Sequence, residues 1–284
     1  MRKQNNSGNR PTGNKQNTTS KKPYRSGNQR PDKEKKSGKP KSGSATDMVR
    51  LNKYIANAGI CSRREADELI KTGLITVNGK IVTELGTKVK PTDDVRYNGG
   101  RIKSDKKVYV VMNKPKDYVT TLEDPHAKKI VTDLLRGRVK ERIYPVGRLD
   151  RMTTGVLLLT NDGELTKRLT HPSYNKKKIY HVSLDKNVSK ADLQKMVDGL
   201  ELDDGFIQAD AASYAHPEDK KQVGLELHSG RNRIVRRIFE HLGYKVQKLD
   251  RVYFAGLTKK SLRRGQWRLL NDKEIGMLKM NAYE

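Results

Sequence analysis

One carboxylate in this sequence stands where carboxylates do chemistry. Asp150 follows Arg148-Leu149 and precedes Arg151, in a stretch broken by Pro145 and Gly147 and followed by the apolar run Gly155-Val-Leu-Leu-Leu-Thr160, which Asn161-Asp162-Gly163 closes. Such a run reads as a buried strand entering a turn. Asp150 is therefore expected on a loop at a sheet edge, where rigid strands position reacting groups. Flanking arginines favour an ionised carboxylate, and a fixed, ionised carboxylate is a nucleophile or a base. The same residue types also describe a surface aspartate ion-paired to Arg148 or Arg151, a common structural arrangement.

Two further stretches carry chemistry-bearing groups. Lys178-Ile-Tyr-His-Val-Ser-Leu184 alternates so that Tyr180, Val182 and Leu184 share one face. A tyrosine there either packs in a core with its hydroxyl paired or presents a phenol to a site. Around residues 232–242 a helix is expected, its buried stripe made of Ile234, Val235, Ile238, Phe239 and Leu242. Arg233, Arg236 and Arg237 then project from the other face, with Arg231 just before it. Glu240 is the one carboxylate near these four arginines in sequence, too few to neutralise them as a solvated ion-pair face. Arg231 and Arg233 suit phosphates.

The elements that must hold these groups belong to a strongly basic chain of 284 residues, with 60 Lys and Arg against 33 Asp and Glu and a formal net charge of +27. That balance calls for a polyanionic partner. No apolar run approaches the roughly 20 residues that cross a bilayer, and no signal-peptide core is visible, so the partner is expected to be nucleic acid and the protein cytoplasmic. A single cysteine, Cys61, and six scattered histidines give neither a disulfide framework nor a zinc spacing. No phosphate loop or dinucleotide fingerprint appears, so neither ATP nor NAD is implied.

Residues 1–47 form a basic, low-complexity tail with 13 basic and three acidic residues up to Asp47. It has too little apolar surface to offset the entropy of ordering, and is expected to be disordered. Residues 48–104 read as a compact module. A first helix carries Leu51, Ile55 and Ala58; a second is boxed by Ser62 and Glu65 and stopped by Gly73; a hairpin then turns at Asn78-Gly79. Lys53, Arg63 and Arg64 lie near the helix ends, and two arginines in a first turn oppose the helix dipole unless an anion is present. Residues 105–284 hold more strands than helices. Strands are expected at 108–112, 155–160, 178–184, 206–212, 223–227, 245–252 and 266–270, with short helices at 131–135, after Asp162 and after Ser189. Adjacent strands of this kind argue for an α+β fold with a mixed, mainly antiparallel sheet flanked by helices.

The segment over residues 144–163 resembles the signature of the RsuA/RluB/RluE/RluF family of ribosomal RNA pseudouridine synthases, whose loop reads Gly-Arg-Leu-Asp before a Thr/Ser-Gly-Leu-rich strand and an Asp-Gly turn. Gly155-Val-Leu-Leu-Leu-Thr-Asn-Asp-Gly-Glu-Leu and Leu-Thr-His-Pro-Ser are most similar to its RluB branch, which modifies large-subunit RNA. Residues 49–102 resemble the small RNA-binding module named after the fourth small-subunit ribosomal protein.

The resemblance makes Asp150 the catalytic aspartate, Tyr180 the residue against the target uracil, Arg236 the partner of Asp150 and Arg148 the side chain that fills the place of a flipped-out base. Lys53, Arg63, Arg64, Arg231 and Arg233 become RNA contacts. Converting uridine to pseudouridine breaks a carbon–nitrogen bond and makes a carbon–carbon bond with no net redox change, so no cofactor is implied. Asp150 attacks the sugar or the base, or removes the sugar proton beside the anomeric carbon. A phenol, with a reference pKa of about 10, needs help from its surroundings to act as a base. The expected partner is ribosomal RNA or a ribosomal-subunit assembly intermediate, acted on by a monomer. The rival reading is a non-catalytic RNA-binding assembly factor on the same scaffold. DNA binding is disfavoured by the lack of a helix-turn-helix.

Overall fold

The computed structural model describes residues 48–124 and 126–283. The tail expected over residues 1–47 lies outside them.

Two helices, Leu51–Asn57 and Arg63–Lys71, open the described chain. The second is capped as its sequence requires. Ser62 Oγ accepts the Glu65 amide at 3.2 Å, and the Glu65 carboxylate accepts the Ser62 amide at 2.6 Å. The first helix starts at Leu51, because Val49–Arg50 pairs with Lys88–Val89 in a two-stranded ladder. Asn78 and Gly79, at φ 51° and 81°, turn the hairpin between Ile75–Val77 and Lys80–Ile81 with both central residues left-handed, as an Asn-Gly turn demands. Leu51, Ile55, Ala66, Ile70, Ile75, Val89, Val95 and Ile102 bury one another and give these elements a core of their own.

A nine-stranded sheet follows. Along it run Ala211–Tyr214, Gln222–Leu227, Lys178–Leu184, Val246–Phe254, Thr154–Thr160, Tyr109–Lys114 and Trp267–Leu269; Tyr144–Pro145 and Leu257–Thr258 pair beside this path. The α+β expectation holds, and every pairing is antiparallel except one. Val246–Phe254 runs parallel to Thr154–Thr160, with Asp250 opposite Thr154 and Arg251 opposite Gly155. The backbones touch there. Gly155 has φ +110°, and a Cβ on it would lie 2.1 Å from the Arg251 carbonyl oxygen, so no other residue fits.

Tyr109–Lys114 is buried along its whole length and Thr154–Thr160 along all but its first residue, which is why their central parts, Tyr109–Met112 and Val156–Leu159, read as continuous apolar runs. Their side chains alternate between two cores. Val111, Val156 and Leu158 meet Leu165, Leu169 and Leu278 on one face, while Val110, Met112, Leu157 and Leu159 meet Val131 and Leu135 on the other. A third core joins Tyr180, Val182 and Leu184 to Ile234, Val235, Ile238 and Phe239, so the arginine helix packs on the sheet by its expected stripe.

The helix Gly163–Thr170 is capped by Asp162, whose carboxylate accepts the Glu164 and Leu165 amides. Its first residues meet the N-terminal helices through an ion pair between Lys53 and Glu164. Some expected elements change form. Val131–Leu135 is a short 3₁₀ helix, the strand over 206–212 splits between the hairpin partner Gly205–Ile207 and the edge strand Ala211–Tyr214, and the arginine helix spans Ile234–His241 because Arg233 takes φ 48°. A final helix, Asp272–Met280, which is not among the expected elements, carries an Asn271/Glu274 capping box.

Candidate active site

Asp150 sits on the loop entering Thr154–Thr160, and the loop is pinned from beneath by Lys114. This lysine is wholly buried at the end of the Tyr109–Lys114 strand. Its Nζ donates to the carbonyls of Thr153 at 2.8 Å and of Pro115, Asp150 and Arg151 at 3.2 Å each. Burial pushes the ammonium down to about 8, with the Asp150 and Asp117 carboxylates pulling the other way. Thr120 adds a second tie, its hydroxyl donating to the Leu149 carbonyl at 2.8 Å and accepting the Leu149 amide at 3.3 Å. The backbone on both sides of Asp150 is thus fixed before any substrate arrives, as electrostatic preorganisation requires.

Of the three charged partners sequence offered Asp150, the structure brings Arg236. Its Nε lies 3.9 Å from Asp150 Oδ2, while Arg151 turns to Asp117 and Arg148 stands exposed at the cavity rim. At 3.9 Å the two charges attract without sharing a hydrogen bond. Arg236 Nη1 donates to the Val246 carbonyl at 3.1 Å, and its buried Nε has no hydrogen-bond partner. Burial and the neighbouring Arg233 push this guanidinium below its ordinary value, and Asp150 and Glu240 oppose them. The expectation that Arg236 points outward from its helix is corrected. Its side chain is 11% exposed, because position 236 falls at the border of the buried stripe, where a long side chain reaches the Val246 carbonyl.

Asp150 and Tyr180 line one cavity of about 590 Å³, together with Arg148, Arg231 and Arg233. Asp150 is the sole carboxylate in this lining, against Arg148, Lys176, Lys178, Arg231, Arg233 and Arg251. A cleft of one sign concentrates ligands of the other. Burial, then the Arg251 charge, push Lys178 down to about 8, and its Nζ donates to the carbonyls of Lys176 and His228.

The arginine run is only partly as expected. Carboxylates remote in sequence neutralise much of it: Asp203 and Asp204, on the turn between Leu200–Leu202 and Gly205–Ile207, pair with Arg237, and Asp204 pairs with Arg231 at 3.4 Å. Arg231 also donates to the carbonyls of Gly205 and Phe206. Arg233 keeps a loose pair with Glu240 at 3.7 Å. Away from the cavity, Arg63 and Arg64 are exposed in the first turn of their helix, and Lys53 is occupied by Glu164. Among the described residues no three His, Cys, Asp or Glu side chains gather as a metal site would need, and no helix is long and apolar enough to cross a membrane.

Sequence reasoning passed over Lys114 and Arg251. Both had a signal: a lysine two residues after the apolar run Val108–Met112, and an arginine in the inward phase of a strand, two residues after Leu249.

The model of the RNA pseudouridylate synthase family matches residues 108–241, and that of the S4 domain matches residues 49–95. "Ribosomal large subunit pseudouridine synthase B" of Bacillus subtilis (strain 168) is 42% identical over 238 residues, covering 83% of this chain and 97% of the relative. "Dual-specificity RNA pseudouridine synthase RluF" of Escherichia coli (strain K12) is 35% identical, covering 80% and 77%. A crystal structure of a pseudouridylate synthase, 26% identical, matches with a TM-score of 0.58 over 81% of this chain and 99% of that one. This chain belongs to the RNA pseudouridine synthases, in the RsuA/RluB/RluF family that carries an N-terminal S4 domain. It is therefore an enzyme of RNA, and the non-catalytic scaffold is set aside.

Proposed function

We propose that this enzyme isomerises a specific uridine of large-subunit ribosomal RNA to pseudouridine, with Asp150 as the reacting carboxylate. The observation that carries the reading is Asp150 itself, the single acid in a cation-lined cavity, on a loop held by Lys114 and facing Arg236 across 3.9 Å. The large subunit is favoured by similarity to the Bacillus subtilis relative, which is named for it.

The geometry suits each route open to the carboxylate. Whether Asp150 attacks the sugar, attacks the base or removes the sugar proton beside the anomeric carbon, one oxygen must be ionised and unblocked. The gap to Arg236 keeps a charge beside it without a hydrogen bond across it. The uridine leaves its stack to enter the cavity, and exposed Arg148 at the rim fills the vacancy. Tyr180 bounds the uracil. Residues 48–104 grip structured RNA through Arg63 and Arg64, residues 105–284 carry the chemistry, and Arg231 and Arg233 guide the phosphates. The enzyme works in the cytoplasm, where its RNA is.

Asp150→Asn keeps the volume of the side chain and removes the reacting charge. With ribosomal RNA tritiated at uracil C5, wild type releases label to water on forming pseudouridine, and the variant should bind the RNA normally and release none. Release at the wild-type rate by Asp150→Asn, or none by wild type, removes the reading.

A further inference from the structure

Among the described residues Arg251 is the only arginine that is buried, at 3% exposure, and the reading above leaves its charge unused. Its Nε donates to the Val156 carbonyl at 2.9 Å and its guanidinium carbon stands 4.5 Å from the centre of the Phe254 ring. Its Nη2 is buried without a hydrogen-bond partner, and no carboxylate of the described residues pairs with it. An unpaired buried charge is costly to a fold, and such a group is kept where charge arrives during function.

The neighbouring groups narrow what that charge serves. Asp250 is taken by Lys259 and Arg264, His228 by Asp210, Lys178 by two carbonyls, and Arg236 by the Val246 carbonyl and Asp150. Tyr180 is left. It is the register partner of Arg251 across the antiparallel ladder, so the two side chains stand on the same face, and both line the cavity. Burial pushes the Arg251 guanidinium down, and the Tyr180 phenol opposes that.

We propose that Arg251 is the positioning residue of Tyr180: its free Nη2 holds the phenol oxygen against the target uracil and balances the phenolate while Tyr180 removes the last proton. The inference rests on the reading of Tyr180 as the residue at the uracil. Once the sugar C1′ to uracil C5 bond has formed, C5 still carries its hydrogen. The phenolate takes that proton; the C–H electron pair becomes the C5–C6 double bond, the pair of the C6–N1 double bond moves to N1, and N1 takes a proton from water. The phenol returns its own proton to water, and nothing is oxidised or reduced.

The test compares Arg251→Met, Arg251→Gln and Arg251→Lys with Tyr180→Phe, on large-subunit ribosomal RNA transcribed with hydrogen or deuterium at uracil C5. The expected result for Arg251→Met is a fall in kcat of about tenfold or more with KM within about twofold, and a C5 isotope effect larger than in wild type. Its unfolding midpoint stays at or above wild type, since an unpaired charge has been replaced by an apolar chain. Arg251→Lys restores part of the rate and lowers the isotope effect. If Arg251→Met does not fold, Arg251→Gln is judged by the same criteria. Wild-type kcat in the neutral variants, or a loss of rate with an unchanged isotope effect and no rescue by lysine, overturns the proposal. Tyr180→Phe separates the two readings: if it turns over at the wild-type rate both fall, and if it is inactive while the Arg251 variants are unaffected, only the role of Arg251 falls.

Discussion

Replacing Lys114 with methionine should cut turnover by about 100-fold and barely touch stability, because two large effects oppose each other at this residue. The four carbonyls it serves, those of Pro115, Asp150, Arg151 and Thr153, lose their donor. At about 1 kcal/mol for each, that destabilises the fold by about 4 kcal/mol. In the other direction, the wild-type ammonium is held from its ordinary 10.5 down to about 8 by burial. At ~1.4 kcal/mol per tenfold, removing that charge returns about 3.5 kcal/mol. The net loss is about 0.5 kcal/mol, while the Asp150 loop is free to shift, and a misplacement of about 1 Å costs ~100-fold in rate. Denaturant unfolding and tritium release on the same preparations check both halves. Wild-type kcat, or a stability loss above about 3 kcal/mol that alone accounts for the missing activity, refutes the reasoning. The pH dependence gives the same contrast. Between about 8 and 10.5 the folded state has lost a proton that the unfolded chain still binds, so the contribution of Lys114 to stability rises with pH. Activity moves the other way above 8, since a neutral amine has two N–H groups for four carbonyls. Lys178 titrates in the same range, so the effect of Lys114 is the difference between wild type and Lys114→Met.

Two further outcomes are expected. Gly155→Ala places a methyl 2.1 Å from the Arg251 carbonyl oxygen at φ +110°, and should lose cooperative unfolding; a melting temperature within a few degrees of wild type, about 1 kcal/mol, would contradict the close approach. Arg63→Ala with Arg64→Ala should flatten the dependence of RNA affinity on salt, by roughly 0.7 to 0.9 in log–log slope for each phosphate no longer neutralised, and leave turnover on short RNA unchanged; an unaltered slope measured by titration excludes those arginines from the interface.

Much of the site was legible because its determinants are local. Asp150 on a loop before an apolar strand, Tyr180 on the inward phase of Lys178–Leu184, and the boxed helix at Ser62 all follow from patterns a few residues long. What escaped depends on pairings between remote segments. The carboxylates of Asp203 and Asp204 neutralise Arg231 and Arg237 from about thirty positions away, so counting acids beside the arginine run overstated its free charge. Lys114 reads as a surface lysine before a proline until the loop of Asp150 closes over it. Arg251 meets Tyr180 only through a ladder joining segments some seventy residues apart.

The helix Gly163–Thr170 has a metric consequence. Its first turn is tied to the N-terminal helices by Lys53 and Glu164, and its last residues, Leu169 and Thr170, line the cavity that holds Asp150. With eight residues at ~1.5 Å each, it is a stiff spacer of about 12 Å between the N-terminal helices and the cavity. Under the function proposed above, target choice becomes a matter of length as well as of contact, and one inserted helical turn would move the cavity about 5.4 Å away from the N-terminal helices.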